Sequence, residues 1–131
     1  MSEREAFIKI DEVIRKFRQK EKTLGGFNWS VRAKSDWLVF RYRKLYWKKN
    51  KINYAIEIFP SFNSYEKITG WNFVCWVYYD VKDDRFYKNI EVKVNVPIEI
   101  IAENCTEFIY QAYNFLNRIE KQDIPLATNE V

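Results

Sequence analysis

Alternation between two unlike sets of residues marks two long neighbouring stretches of the chain. From Trp71 to Asp80, the set Trp71, Phe73, Cys75, Val77 and Tyr79 alternates with Asn72, Val74, Trp76, Tyr78 and Asp80. That is the period of a strand with two unlike faces. After Val81-Lys82-Asp83-Asp84 the alternation resumes, with Phe86, Ile90, Val92, Val94 and Val96 on one side and Tyr87, Asn89, Glu91, Lys93 and Asn95 on the other. A turn that pairs Asp80 with Arg85 sets Tyr79 opposite Phe86, Cys75 opposite Ile90, Phe73 opposite Val92 and Trp71 opposite Val94. The apolar sets then coincide, and a slip of one residue would turn one of them over.

Upstream, the pattern predicts a strand from Phe27 to Lys34, a two-residue turn at Ser35-Asp36, and a second strand from Trp37 to about Trp47. This register puts Trp29 opposite Tyr42 and leaves Arg32, Trp37, Val39, Arg41 and Arg43 on the outer face. Lys48-Lys49-Asn50-Lys51 is the next reversal. Ile52 to Phe59 then turns Ile52, Tyr54, Ile56 and Ile58 inward and sets Arg41 opposite Glu57. Pro60, which cannot donate to a ladder, is expected to end this strand. Ser61 to Thr69 reads as the longest irregular segment, a crossover or a functional loop.

The two ends of the chain have helical spacing instead. Ser2-Glu3-Arg4-Glu5 fits a capping box, and Phe7, Ile10, Val13, Ile14 and Phe17 form one stripe of a helix from about Glu3 to Lys20. Gly25-Gly26 provides the exit. After Pro97, apolar residues from Ile98 to Ile119 make a wide stripe that runs to about Lys121, with a restart at Asn104. Gln122 to Val131 is expected to fray. The predicted fold class is α+β: a five-stranded antiparallel meander sheet with N- and C-terminal helices packed on one face. Residues 1–121 form a single domain and 122–131 a flexible C-terminal tail. Two helices cover one face of such a sheet, so the other face is left for a partner.

Composition changes this picture little. The 131 residues are 47% hydrophobic and 18% aromatic, enough for a core without staples, although some of the rings must lie outside it. No apolar run approaches the ~20 residues of a membrane span. The N-terminus lacks the apolar core of a signal peptide, so the expected localisation is cytoplasmic. Cys75 and Cys105 fall on predicted buried faces and read as reduced core thiols. With no histidine and two cysteines, neither a metal site nor a cofactor is expected.

Charge distribution says more than the net +4 and pI near 9.0. Between Arg32 and Lys51 the only acid is Asp36, against Arg32, Lys34, Arg41, Arg43, Lys44, Lys48, Lys49 and Lys51. The predicted outer face thus carries Arg32, Trp37, Arg41, Arg43, Trp76 and Tyr78 as candidate partner-binding residues, with Val74, Tyr87, Asn89 and Lys93 beside them. Aromatics and arginine concentrate at protein interfaces, which favours a protein partner or self-association. The alternative is single-stranded nucleic acid, with bases stacked on Trp and Tyr and phosphates on Arg and Lys.

Enzyme chemistry finds no support. No histidine is present to act as general base or to activate either thiol. Asp80 followed by Glu91-Val92-Lys93 resembles the acidic and Glu-x-Lys arrangement of metal-dependent restriction-type nucleases. Glu91, however, lies opposite Val74, ~20 Å along the strand from Asp80, too far to share a cation. Bulky inward residues such as Trp29, Tyr42 and Tyr54 could line a ligand cavity, but close-packed core explains them. The expected function is a non-catalytic interaction module.

Overall fold

The computed structural model describes residues 1–21, 28–30, 42–49, 51–65, 67–81 and 84–122. Helix α1 (Glu3–Lys20) starts where the Ser2 hydroxyl accepts a hydrogen bond from the Glu5 amide at 3.1 Å. That oxygen satisfies one of the amides a helix start leaves unpaired. Ala6, Phe7, Ile10, Ile14 and Phe17 recur at helical spacing and are buried.

The short strand β1 (Asn28–Ser30) lies along one edge of the sheet. The body of the sheet is four strands, β2 (Arg43–Lys49), β3 (Ile52–Phe62), β4 (Ile68–Val81) and β5 (Asp84–Val96), in sequential order and antiparallel throughout. Four full strands therefore stand where five were expected. Helices α2 (Ile98–Glu103) and α3 (Cys105–Gln122) close the chain. The expected tail from Gln122 loses its first residue to α3, and residues 123–131 lie outside the described residues. Asn104 does separate the two helices, but its Nδ2 donates back to the Ile100 carbonyl at 2.8 Å. Its side chain thus closes α2, while its carbonyl accepts from the Phe108 amide at 2.9 Å and opens α3.

On the β5 side the expected register holds from Asp80 opposite Arg85 to Val74 opposite Glu91. Beyond that point Phe73 lies opposite Lys93 and Trp71 opposite Val96, because β5 takes in an extra residue on either side of Phe73. Side chains sew this distorted end together. Asn95, in the left-handed region at φ 53°, donates its amide to Asn72 Oδ1 at 3.0 Å, and Asn72 Nδ2 donates to Ser61 Oγ at 2.7 Å. Three strands meet on one buried asparagine. Gly70 lets β5 approach, since a Cβ there would stand 2.8 Å from the Asn95 carbonyl carbon.

On the β2 side the expected register is wrong by an odd number of residues. Trp29 pairs with Leu45 rather than Tyr42, and Lys44 rather than Arg41 lies opposite Glu57. An odd slip turns a strand over. Arg43, Leu45 and Trp47 are accordingly buried, while Lys44, Tyr46 and Lys48 take the opposite face. The two-residue turn at Ser35-Asp36, on which the expected register depended, lies outside the described residues.

Strand β3 keeps its expected inward set, Tyr54, Ile56 and Ile58, and continues through Pro60 to Phe62. Its ladder to β2 ends at Ile58, so Pro60 sits where β4 is the one described neighbour, a setting that tolerates a missing N–H. The supposed irregular segment loses both its ends to strand, Ser61 and Phe62 to β3 and Ile68 and Thr69 to β4. Its remainder is organised by Asn63, whose Oδ1 accepts from the Tyr65 and Lys67 amides at 2.9 and 3.1 Å.

Helices α1 and α3 pack on the same sheet face. Phe7 of α1 meets Trp71 edge-on with centroids 5.2 Å apart, and Phe108 of α3 meets Phe73 at 5.6 Å. Ile10, Ile14, Ile56, Ile58, Ile109 and Leu116 are fully buried between these layers. Each contributes roughly 1.5–3 kcal/mol relative to exposure.

The Gly70→Ala variant should lose about 1–3 kcal/mol, because its new methyl meets the backbone of Asn95 as well as that residue's side chain, and the backbone cannot swing away. Urea denaturation would measure this, and an unchanged midpoint would show that β5 does not approach Gly70 so closely.

Candidate functional site

No described helix or strand lies over the face of the sheet opposite α1 and α3. Its side chains fall into cross-strand rows, set by the pairing of β2 through β5. One row runs Lys48, Asn53, Tyr78, Tyr87. The next runs Tyr46, Ala55, Trp76, Asn89, and the third Lys44, Glu57, Val74, Glu91. In the middle row Ala55 is 1% exposed and forms a low floor between the rings of Tyr46 and Trp76. Tyr87 is 68% exposed and its ring lies 6.0 Å from that of Trp76.

Charge on these rows is balanced. Lys44 and Lys48 stand on β2 and Glu57 and Glu91 on β3 and β5, so the positive side chains collect toward one edge and a carboxylate stands at the other. Lys44 Nζ lies 3.5 Å from a Glu57 carboxylate oxygen and 5.7 Å from the centre of the Tyr46 ring. The Trp76 Nε1 atom is buried with no hydrogen-bond partner among the described residues.

The candidate residues from the sequence part company here. Trp76 and Tyr78 lie on this face, both half-buried, as expected. Arg32, Trp37 and Arg41 lie outside the described residues. Arg43 is on the wrong side for a partner: only 6% exposed, it points under α1. Its Nε donates to Asp11 Oδ1 at 2.7 Å and Nη2 to Oδ2 at 3.1 Å, while the guanidinium lies 4.8 Å from the centre of the Phe7 ring. Arginine is suited to this duty because its planar fork matches a carboxylate and its flat face stacks on a ring. Tyr46, Ala55 and Lys44 take part in the face in its place. The alternation of Leu45 and Trp47 with Lys44, Tyr46 and Lys48 carries that signal, but the longer register inferred through Ser35-Asp36 overrode it.

The thiols are poor nucleophiles. Burial pushes both up to about 12, with the nearby Asp11 carboxylate adding to the effect at Cys105 and the Ile90 backbone opposing it at Cys75. Neither is in a disulfide. Among the described residues no group of three or more His, Cys, Asp or Glu is gathered as metal ligands, and no helix is long and apolar enough to cross a membrane. Compared with protein-family models, with curated proteins and with solved structures, the chain matches none of them.

The ion pair under α1 has unequal partners, for Arg43 is buried and the Asp11 side chain is 41% exposed. Asp11→Ala strands a buried guanidinium and should cost about 1.5–3 kcal/mol. Arg43→Met, which leaves only a solvated carboxylate and fills the same space, should cost clearly less. Equal losses in chemical denaturation would contradict this asymmetry.

The thiols also give a pH dependence. Unfolded, each releases its proton near pH 9.0; folded, each keeps it to about 12. Ionisation above pH ~9 therefore favours the unfolded chain, and each thiol should withdraw up to ~1.4 kcal/mol of stability per pH unit. A Cys75→Ala, Cys105→Ala variant is expected to show a flatter decline in urea midpoint above pH ~9 than the parent. Parallel slopes would mean that the thiols are solvated.

Proposed function

We propose that this protein is a non-catalytic interaction module, an adaptor, regulator or inhibitor, which holds a protein partner against the outer face of its sheet. The observation that carries the reading is the cluster of the half-buried rings Tyr46, Trp76 and Tyr78 with the exposed ring of Tyr87, around the small Ala55 on a face with balanced charge. Aromatic side chains supply large contact area with few torsions to freeze, and desolvating them costs less than desolvating unpaired charge. The absence of histidine and the high thiol pKa values support a non-catalytic role.

Single-stranded nucleic acid is the second reading, since the same rings can stack on bases. Two observations weigh against it. Arg43 is committed to Asp11, and Lys44 shares its charge with Glu57, so fewer cations are left to follow phosphates.

A photo-crosslinking residue at Tyr87 should trap protein in native extract, while the same residue at Ile8, 57% exposed on α1, should not. Equal trapping at both positions would remove the outer face from the account. Adducts to oligonucleotide alone at Tyr87, weakened steeply by salt and by Lys48→Glu, would put nucleic acid in the partner's place.

A further inference from the structure

We infer that the groove between α1 and α3 binds a small aromatic monocarboxylate, a single ring on a short acidic arm. The groove lies on the helical side of the sheet, so this site does not depend on the reading of the outer face. Helical spacing builds it. Val13, Lys16, Phe17 and Lys20 follow one another at three and four residues along one flank of α1, and Thr106, Ile109 and Tyr110 do the same on α3. Between them they leave a space of about 230 Å³ that no described side chain fills.

The groove changes in polarity from floor to mouth. Phe17 and Ile109 form a buried floor, Val13 and Tyr110 are half-buried walls, and the lysines and Thr106 are exposed at the mouth. Ligand sites are built in this way, apolar within and with a few polar groups to fix orientation. The Tyr110 ring is held on two sides, edge-on to Phe17 with centroids 5.3 Å apart and with the Lys20 ammonium 5.4 Å from its centre. A wall fixed before the ligand arrives needs little further ordering.

Charge names the head group. No carboxylate lines the groove. Lys16 lies 3.3 Å from Glu12 one turn back, an exposed pair that offsets its charge locally. Lys20 pairs with no carboxylate among the described residues, and the Thr106 hydroxyl makes no hydrogen bond among them, so one ammonium and one hydroxyl are left at the mouth. Together they complement one carboxylate, whereas a dianionic phosphate needs more donors than the groove offers. Size names the body. An apolar cavity of about 150 Å³ holds benzene, so this groove takes one ring and an acidic arm but no long fatty chain.

Phenylacetate is the probe, and phenylacetamide, its uncharged amide, is the control. Titrated at low salt into the isotope-labelled full chain and followed by NMR, phenylacetate should move the Val13 and Ile109 methyl signals and the Thr106 amide along one saturable curve. A Kd on the order of 1 mM is expected for a ligand of ~10 non-hydrogen atoms. Phenylacetamide should bind about three- to fivefold more weakly, the loss expected for one partly exposed ion contact. Lys20→Gln should bring the two probes to equal affinity, with the unfolding midpoint unmoved because Lys20 is exposed.

No saturable shift at Val13 and Ile109 well above that Kd would overturn the inference. So would equal binding of acid and amide by the parent chain, or a Lys20→Gln variant that still prefers the acid. None of these outcomes depends on what Tyr87 traps.

Discussion

A buried arginine decides which way this sheet is built. Arg43 enters the space between α1 and β2 and is held there by both oxygens of Asp11, under the ring of Phe7. Burying a guanidinium without a partner costs several kcal/mol, so β2 can present Arg43 inward only where α1 offers a carboxylate. Once it does, Leu45 and Trp47 follow into the core and Lys44, Tyr46 and Lys48 must face out. The outer face is therefore set by a contact on the inner one.

A second polar device holds the far end of the sheet. Asn72 reaches Ser61 on β3 and the Asn95 amide on β5, across the two extra residues that bend the edge strand. Bulges and exposed lysine on an edge strand discourage further strands from adding to it. Association through the edge is thus disfavoured.

Much of the fold was legible in the sequence, and the failures have particular causes. The helix from Glu3 to Lys20, the inward sets of β3 and β4 and the register around Asp80 and Arg85 follow from periodicity and one tight turn. Periodicity counts residues evenly, so it could not register the insertions beside Phe73. Nor does it foresee a charged side chain serving as core, and Arg43 reads as surface because its partner lies 32 positions away on α1. Trp76 and Tyr78 are legible as outer-face residues because they alternate with Cys75, Val77 and Tyr79 along β4. Tyr46 and Ala55 are not legible in the same way, the first because of the slipped register and the second because a small residue matters only once its neighbours are known.

The account turns on Arg43 lying beneath α1, and nitrogen-edited NMR of its side chain tests that most directly. A slowly exchanging Nε–H signal with nuclear Overhauser contacts to the Phe7 ring is the predicted result. A rapidly exchanging Arg43 Nε–H with contacts to Tyr46 or Trp76 would mean that β2 is turned over, and the outer face described above would not exist.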